Sequence, residues 1–383
     1  MIRWLRVPKA RIFDQVRRTD TSGKKRTESS FAYLNRSARR GTAESRALME
    51  TWLSRIPATE YADFCKRFRC GDERLFTSAF QEMTLHELLR RQRCKLRFHP
   101  NVPGTTNKPD FNVQQPNGPE FLLEARTSTH IASGPSGGTR ADRIRDFLES
   151  TELEGYLIAI DKFTEGTSDL SQKRLKKHID DRIKAGAPGR SPESISIPPL
   201  TTGDGWRIEM TAFPKACYGT RRSTVMHEAW GPTWTGPSYP LRDSLKKKGG
   251  RYGNQRAMPY LIAVNSSDAM LTDHDFQDTL FGARSQYASP GTPWNHGLWG
   301  TAAAPNYTRV SAVLFTKNLC PPTLLMGQVY ACLYLNPWPA QPYEGVLTKL
   351  PTFKLENGGL REYPGAALHQ LLKLRVRDSA IWG

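Results

Sequence analysis

The sequence predicts an α/β protein built on a mixed β-sheet. Three observations carry this. Residues 42–93 read as helices, a helix–strand–hairpin unit follows, and beyond it strands and helices alternate. That order excludes a pure bundle and a pure sandwich.

Taken in turn, residues 1–30 are polar, basic and weakly periodic, which predicts a loose arm. Residues 42–69 read as helices broken near Pro57. Residues 76–93 give the clearest helix, with Phe76, Phe80, Met83, Leu85, Leu88 and Leu89 at near-helical spacing. Residues 94–99 (CKLRFH) alternate as a strand does. A Pro/Gly loop covers 101–108. Two strands, 110–114 (DFNVQ) and 120–125 (EFLLEA), then flank QPNGP, whose Asn-Gly pair signals a hairpin turn. Residues 131–139 read as a flexible segment, 140–151 as a short helix, 155–161 as a buried strand and 171–185 as a basic helix. Residues 186–204 are rich in Pro, Ser and Gly, so they read as a loop or joint. Strands follow at 206–213 and 259–265, separated by a helix end at 242–248 that Gly249-Gly250 closes. An aromatic, Gly-rich loop spans 285–308, and late strands fall at 310–315 and 328–335. The expected organisation is a basic arm and helical region (1–72), a core (73–270) with an insertion around 186–240, and a C-terminal accessory region (271–383).

The chain has 383 residues, enough for two domains or one with insertions. Its 9 Trp, 16 Phe and 13 Tyr can fill a core, which excludes a disordered chain. No apolar run is long enough to span a membrane, and the basic N-terminus lacks the apolar centre of a secretory signal. No basic amphipathic helix with an aromatic face stands out, which argues against a membrane-surface role. Cys65, Cys70, Cys94, Cys217, Cys320 and Cys332 form no CxxC pair, so the expectation is reduced thiols in a cytoplasmic protein without structural zinc. GxxxxGK[ST] and HExxH are absent from the sequence, which removes the support for P-loop and zincin chemistry.

The charge points to a polyanion. Lys and Arg number 55 against 37 Asp and Glu, a net +18. Residues 1–60 hold 14 Lys and Arg and 6 Asp and Glu. Further clusters are Arg90, Arg91, Arg93, Lys95 and Arg97; Lys173, Arg174, Lys176 and Lys177; and Arg242, Lys246, Lys247, Lys248 and Arg251. Such surfaces hold phosphate backbones without reading sequence. Arg90, Arg91, Lys246, Lys247, Lys248 and Arg251 are expected nucleic-acid contacts, joined by His99 and Lys108 beside the hairpin.

The hairpin also carries carboxylates. Asp110 opens one strand directly after Pro109, and Glu124 lies on the return strand, inside FLLEA. Acids on adjacent antiparallel strands can converge. Glu82, on the preceding helix, is the expected third acid, with Glu87 its competitor. Hard oxygen ligands suit Mg²⁺ or Mn²⁺, which polarises a phosphodiester and acidifies water.

Pro109-Asp110 followed by Glu124-Ala125-Arg126 resembles the motif of the PD-(D/E)xK, or restriction-endonuclease-like, nuclease superfamily. The resemblance implies a mixed sheet flanked by helices. It implies Asp110, Glu124 and the Ala125 carbonyl as metal ligands, and Glu82 as an auxiliary acid. Arg126 stands where that motif has lysine; it can hold a scissile phosphate but does not lose a proton near neutral pH. YLNRSAR (33–39), FQEMTLHELL (80–89), HPNVPGTTNKPDF (99–111), FLLEA (121–125), KKKGGRYGNQRAMPYLIAVN (246–265) and LNPW (335–338) are similar to segments of a group of uncharacterised bacterial proteins with this core, which often lack that lysine. The implied activity is a metal-dependent endonuclease acting on DNA rather than RNA, in restriction or anti-phage defence, alone as a homodimer or with a partner protein. The other reading is a nuclease-like module that binds nucleic acid or a protein without cutting.

Overall fold

The computed structural model describes residues 11–128, 140–151, 153, 155–186, 194–214, 241–243, 245–246, 258–267, 271–282 and 297–382. The chain opens with four helices, α1 (Ser30–Arg36), α2 (Arg40–Leu53), α3 (Ala58–Arg69) and α4 (Glu73–Arg91). Strands β1 (Lys95–Phe98), β2 (Phe111–Gln114) and β3 (Phe121–Ser128) follow. Next come α5 (Arg140–Ser150), β4 (Tyr156–Thr164), α6 (Gln172–Gly186), β5 (Ile195–Thr201) and β6 (Arg207–Pro214). The chain ends with β7 (Tyr260–Ser266), α7 (Asp273–Phe281), β8 (Ala312–Lys317), α8 (Pro321–Leu325), β9 (Tyr330–Leu335), β10 (Thr352–Glu356), β11 (Gly359–Tyr363) and α9 (Leu368–Leu371).

Two units emerge. The first comprises Met1–Ser22, Ser30–Ala132 and Thr235–Gly383, the second Gly23–Ser29 and Ser133–Trp234. The second unit thus begins well before the insertion expected around 186–240. It holds a three-stranded antiparallel sheet in the order β4-β6-β5 with its own core, including Ile160, Leu175, Ile179, Trp206 and Ile208. Helix α6 buries Leu175 and Ile179 and leaves Lys173, Arg174, Lys176 and Lys177 exposed. Strand β5 lies where a loop was expected. Pro198 and Pro199 fall where its register slips between Ile197 and Leu200, at the edge of the sheet, where proline is tolerated.

The first unit is organised by an eight-stranded mixed sheet in the order β1-β2-β3-β7-β8-β9-β10-β11. β1, β2 and β3 form an antiparallel meander, while β3, β7 and β8 run parallel. Every residue of β7 is buried, as expected for a central strand covered on both faces. One face packs Phe111, Phe121, Leu123, Ala125 and Leu261 against Trp52, Phe64, Phe80 and Met83 of α2, α3 and α4. The other packs Leu122, Ile262, Val313 and Tyr334 against Phe276, Leu280 and Trp299. The region expected to be accessory, 271–383, therefore supplies four strands of the main sheet.

The arm is not loose over its described part. Ile12 and Phe13 are buried in the first core, and their N–H groups donate to Glu50 Oε1 at 2.9 and 3.0 Å. Asp72 caps α4 by accepting from the Arg74 N–H, 2.8 Å. At the other end Cys94 N–H reaches Leu89 O and Arg93 N–H reaches Arg90 O, a Schellman closure that puts Arg93 at φ 64. This turn feeds the chain directly into β1.

Candidate functional site

The register of the meander builds the site. Phe111 faces Leu123 and Asn112 faces Leu122. One step further the same register sets Asp110 opposite Glu124. The Asp110 carbonyl accepts from His99 N–H, 3.1 Å, so its backbone turns toward β1. Leu122 N–H donates to Pro259 O, 2.9 Å, so Glu124, two residues on, turns its backbone toward β7. Neither backbone faces the other. In such a non-hydrogen-bonded pair facing side chains come closest, with Cβ atoms about 4.5–5.5 Å apart. The turn that sets this register is held by Gln115, buried, whose Nε2 donates to Pro119 O at 2.8 Å.

Ala125 N–H donates to Asp110 Oδ2, 2.6 Å. In an extended strand the carbonyl of a residue points to the same edge as its N–H, and Pro109, opposite Ala125 in this register, has no N–H to offer it. Two carboxylates and a backbone carbonyl thus gather at the start of β2. Glu124 is 2% exposed, Asp110 is half-buried, and Arg126, on the Glu124 side of β3, is exposed. Mg²⁺ is usually held by one or two carboxylates and completes its shell with water and phosphate oxygens, so this donor set fits it.

Glu82 does not join them. Glu124 shares a face with Leu122, whereas α4 covers the face of Leu123 and Ala125. Both Glu82 oxygens are held by Arg67, Nη1 to Oε1 at 2.6 Å and Nη2 to Oε2 at 2.8 Å, and Ser78 Oγ adds a bond at 3.1 Å. Burial pushes the Arg67 guanidinium toward neutrality, but Glu82 and Asp63 outweigh it and raise its pKa. The expected third acid is therefore one half of an ion pair on the far side of the sheet. Among the described residues no group of three or more His, Cys, Asp and Glu could hold a metal. What α4 does send to β3 is Gln81, 1% exposed, which accepts from Thr127 Oγ1 at 3.2 Å and donates to Ala263 O at 3.0 Å. It ties β3 to β7, a role no sequence signal marked.

The cations also sort by face. Arg97 faces Asn112 across β1 and β2, so Lys95 and Arg97 lie on the Asp110 side and are exposed, while Leu96 and Phe98 pack toward α4. His99 sits at φ 44, a left-handed conformation rare for a side chain of its size, with Nε2 3.7 Å from Glu60. Lys108 is exposed, directly before Pro109. Arg90 and Arg91 are elsewhere, bonded to Glu87 on α4. Lys246 is exposed. Lys247, Lys248 and Arg251 lie outside the described residues, as do Gly249-Gly250, residues 131–139 and residues 285–296 of the aromatic loop expected over 285–308. No protein-family model, curated protein or solved structure matches the chain.

Proposed function

We propose that the protein is a metal-dependent nuclease with a restriction-endonuclease-like core, and that Asp110, Glu124 and the Ala125 carbonyl hold Mg²⁺ or Mn²⁺. The carrying observation is the facing pair of carboxylates, with Asp110 held by the Ala125 N–H and the pair bordered by Lys95, Arg97 and Arg126. A negative spot within a positive field suits a phosphodiester held by its backbone. When bound, the ion supplies Lewis-acid polarisation and acidifies water. The residues do the rest. Ala125 N–H fixes the Asp110 carboxylate, the meander fixes its distance from Glu124, and Arg126 offers an always-charged fork to a phosphate. The preference for DNA and the setting in bacterial defence rest on the resemblance.

One observation favours a second reading, binding without cutting. Arg126 cannot serve as a titrating base. A single assay separates the two. Plasmid DNA, single-stranded DNA and RNA are incubated with Mg²⁺ or Mn²⁺ and the protein, beside Asp110→Ala and Glu124→Ala. The expected result is cleavage that each substitution reduces by more than the ~10–100-fold typical of losing an outer-shell partner. Cleavage that survives both removes the site assignment. Binding without cleavage under either metal selects the second reading.

A further inference from the structure

The end of α4 carries a feature that the carboxylate pair does not use. Glu87 is fully buried, and three arginines converge on it. Arg55 Nη1 lies 2.6 Å from Oε1, Arg91 Nε 2.6 Å from Oε1, and Arg90 Nε 2.9 Å from Oε2. Their side chains remain 33, 20 and 42% exposed respectively. Among the described residues Glu87 is the one carboxylate within ion-pair distance of the three. Even with about half a negative charge at a helix C-terminus, roughly one and a half positive charges stay unneutralised. Two more cations stand beside them. Arg93 is exposed at the Schellman position, and Lys349 Nζ donates to Oε1 of Gln92, the residue that ends α4, at 2.6 Å.

The arrangement differs from a solvated basic face. A buried carboxylate pins the guanidiniums, so little side-chain freedom is left to lose on binding. Arg93 occupies a position where glycine is the relaxed choice. The chain then leaves this corner as β1, the edge strand, whose Lys95 and Arg97 project about 6.6 Å apart on the face that carries Asp110.

We propose that the α4 end, with Arg55, Arg90 and Arg91 pinned on Glu87 and with Arg93 and Lys349 beside them, is a phosphate clamp for a nucleic-acid strand, and that the strand continues along β1. The clamp stands by itself as a binding site; the continuation toward Asp110 rests on the nuclease reading. The occupant is a phosphodiester backbone, because the site offers forked guanidinium donors and surplus positive charge.

The test is a salt titration of binding to a fluorescently labelled single-stranded DNA oligonucleotide, read by anisotropy. The proteins are the full chain, Arg90→Gln, Arg93→Gly and, as a control, Arg361→Gln on β11 at the opposite edge of the sheet. Arg90→Gln leaves Arg55 and Arg91 on Glu87. Arg93→Gly relaxes the backbone, so its melting temperature should hold or rise. Each is expected to lower the slope of log K against log salt by about 0.7, the loss of one phosphate contact on a single strand. Arg361→Gln should leave the slope unchanged. Unchanged slopes in both arginine variants overturn the clamp. Loss of binding to phosphatidylserine vesicles in those variants, with oligonucleotide binding intact, overturns it in favour of a membrane surface. Absence of cleavage by the full chain, with the slopes still reduced, removes the nuclease reading alone.

Discussion

At the scale of residues, two buried glutamates of similar appearance in the sequence have opposite fates. Glu124 stands opposite Asp110 in the register of β2 and β3, while Glu82 is locked to Arg67. Removing one partner of a buried ion pair leaves the other charge uncompensated, at a cost of about 3–5 kcal/mol. Glu82→Gln is therefore expected to lower stability by roughly 3 kcal/mol in urea unfolding and to leave cleavage per folded molecule near that of the parent. A loss of cleavage with unchanged stability would return Glu82 to the site. Both acids were legible as buried candidates, one within FLLEA and the other on a strongly periodic helix. Which of them faces Asp110 was not, because the answer depends on which side of β3 the helix lies.

At the scale of elements, α4 shows how local signals and packing divide the work. Its periodic core and its Asp72 cap are written in the sequence. Its end is not, since the Schellman closure uses Arg93 instead of the glycine that usually marks it. Other omissions were readable. Thr272 and Asp275 form a capping box that starts α7. Asn357-Gly358 between alternating segments signals the β10–β11 hairpin. A pH dependence belongs to α4 as well. Burial raises the pKa of Glu87, yet hydrogen bonds from Arg90, Arg91 and Arg55 outweigh it and hold it below its ordinary 4.5. A depressed carboxylate contributes stability that is complete above its unfolded pKa and is lost as pH falls through the folded one. Chemical denaturation should show this contribution flat from pH 7 to about 5 and declining below about 4.5. Glu87→Gln should be less stable at pH 7 and should show a shallower decline. A decline identical to that of the parent would assign the acid sensitivity to other carboxylates.

At the scale of the whole molecule, no helix among the described residues is long and apolar enough to cross a membrane. The sheet joins residues far apart in sequence, since β3 pairs in parallel with β7 across the whole second unit. Strands β8 to β11 complete that sheet from the region 271–383. Truncation after residue 270 would expose the β7 edge and strip Val313, Phe315 and Tyr334 from the second core. The truncated chain should lose its cooperative thermal transition by circular dichroism. A cooperative transition in that chain would mean that 73–270 folds without the later strands. By itself, the sequence determined the α/β class, the hairpin of β2 and β3, most of the strands and the basic character. These rest on periodicity, turn residues and spacing, all of which act over a few residues. The tertiary structure alone decided that Glu82 turns away, that β1 carries its cations beside the acid pair and that three arginines gather on Glu87. The physical reason is that a strand has two faces, and which face meets a helix is set by packing among segments that no local pattern relates.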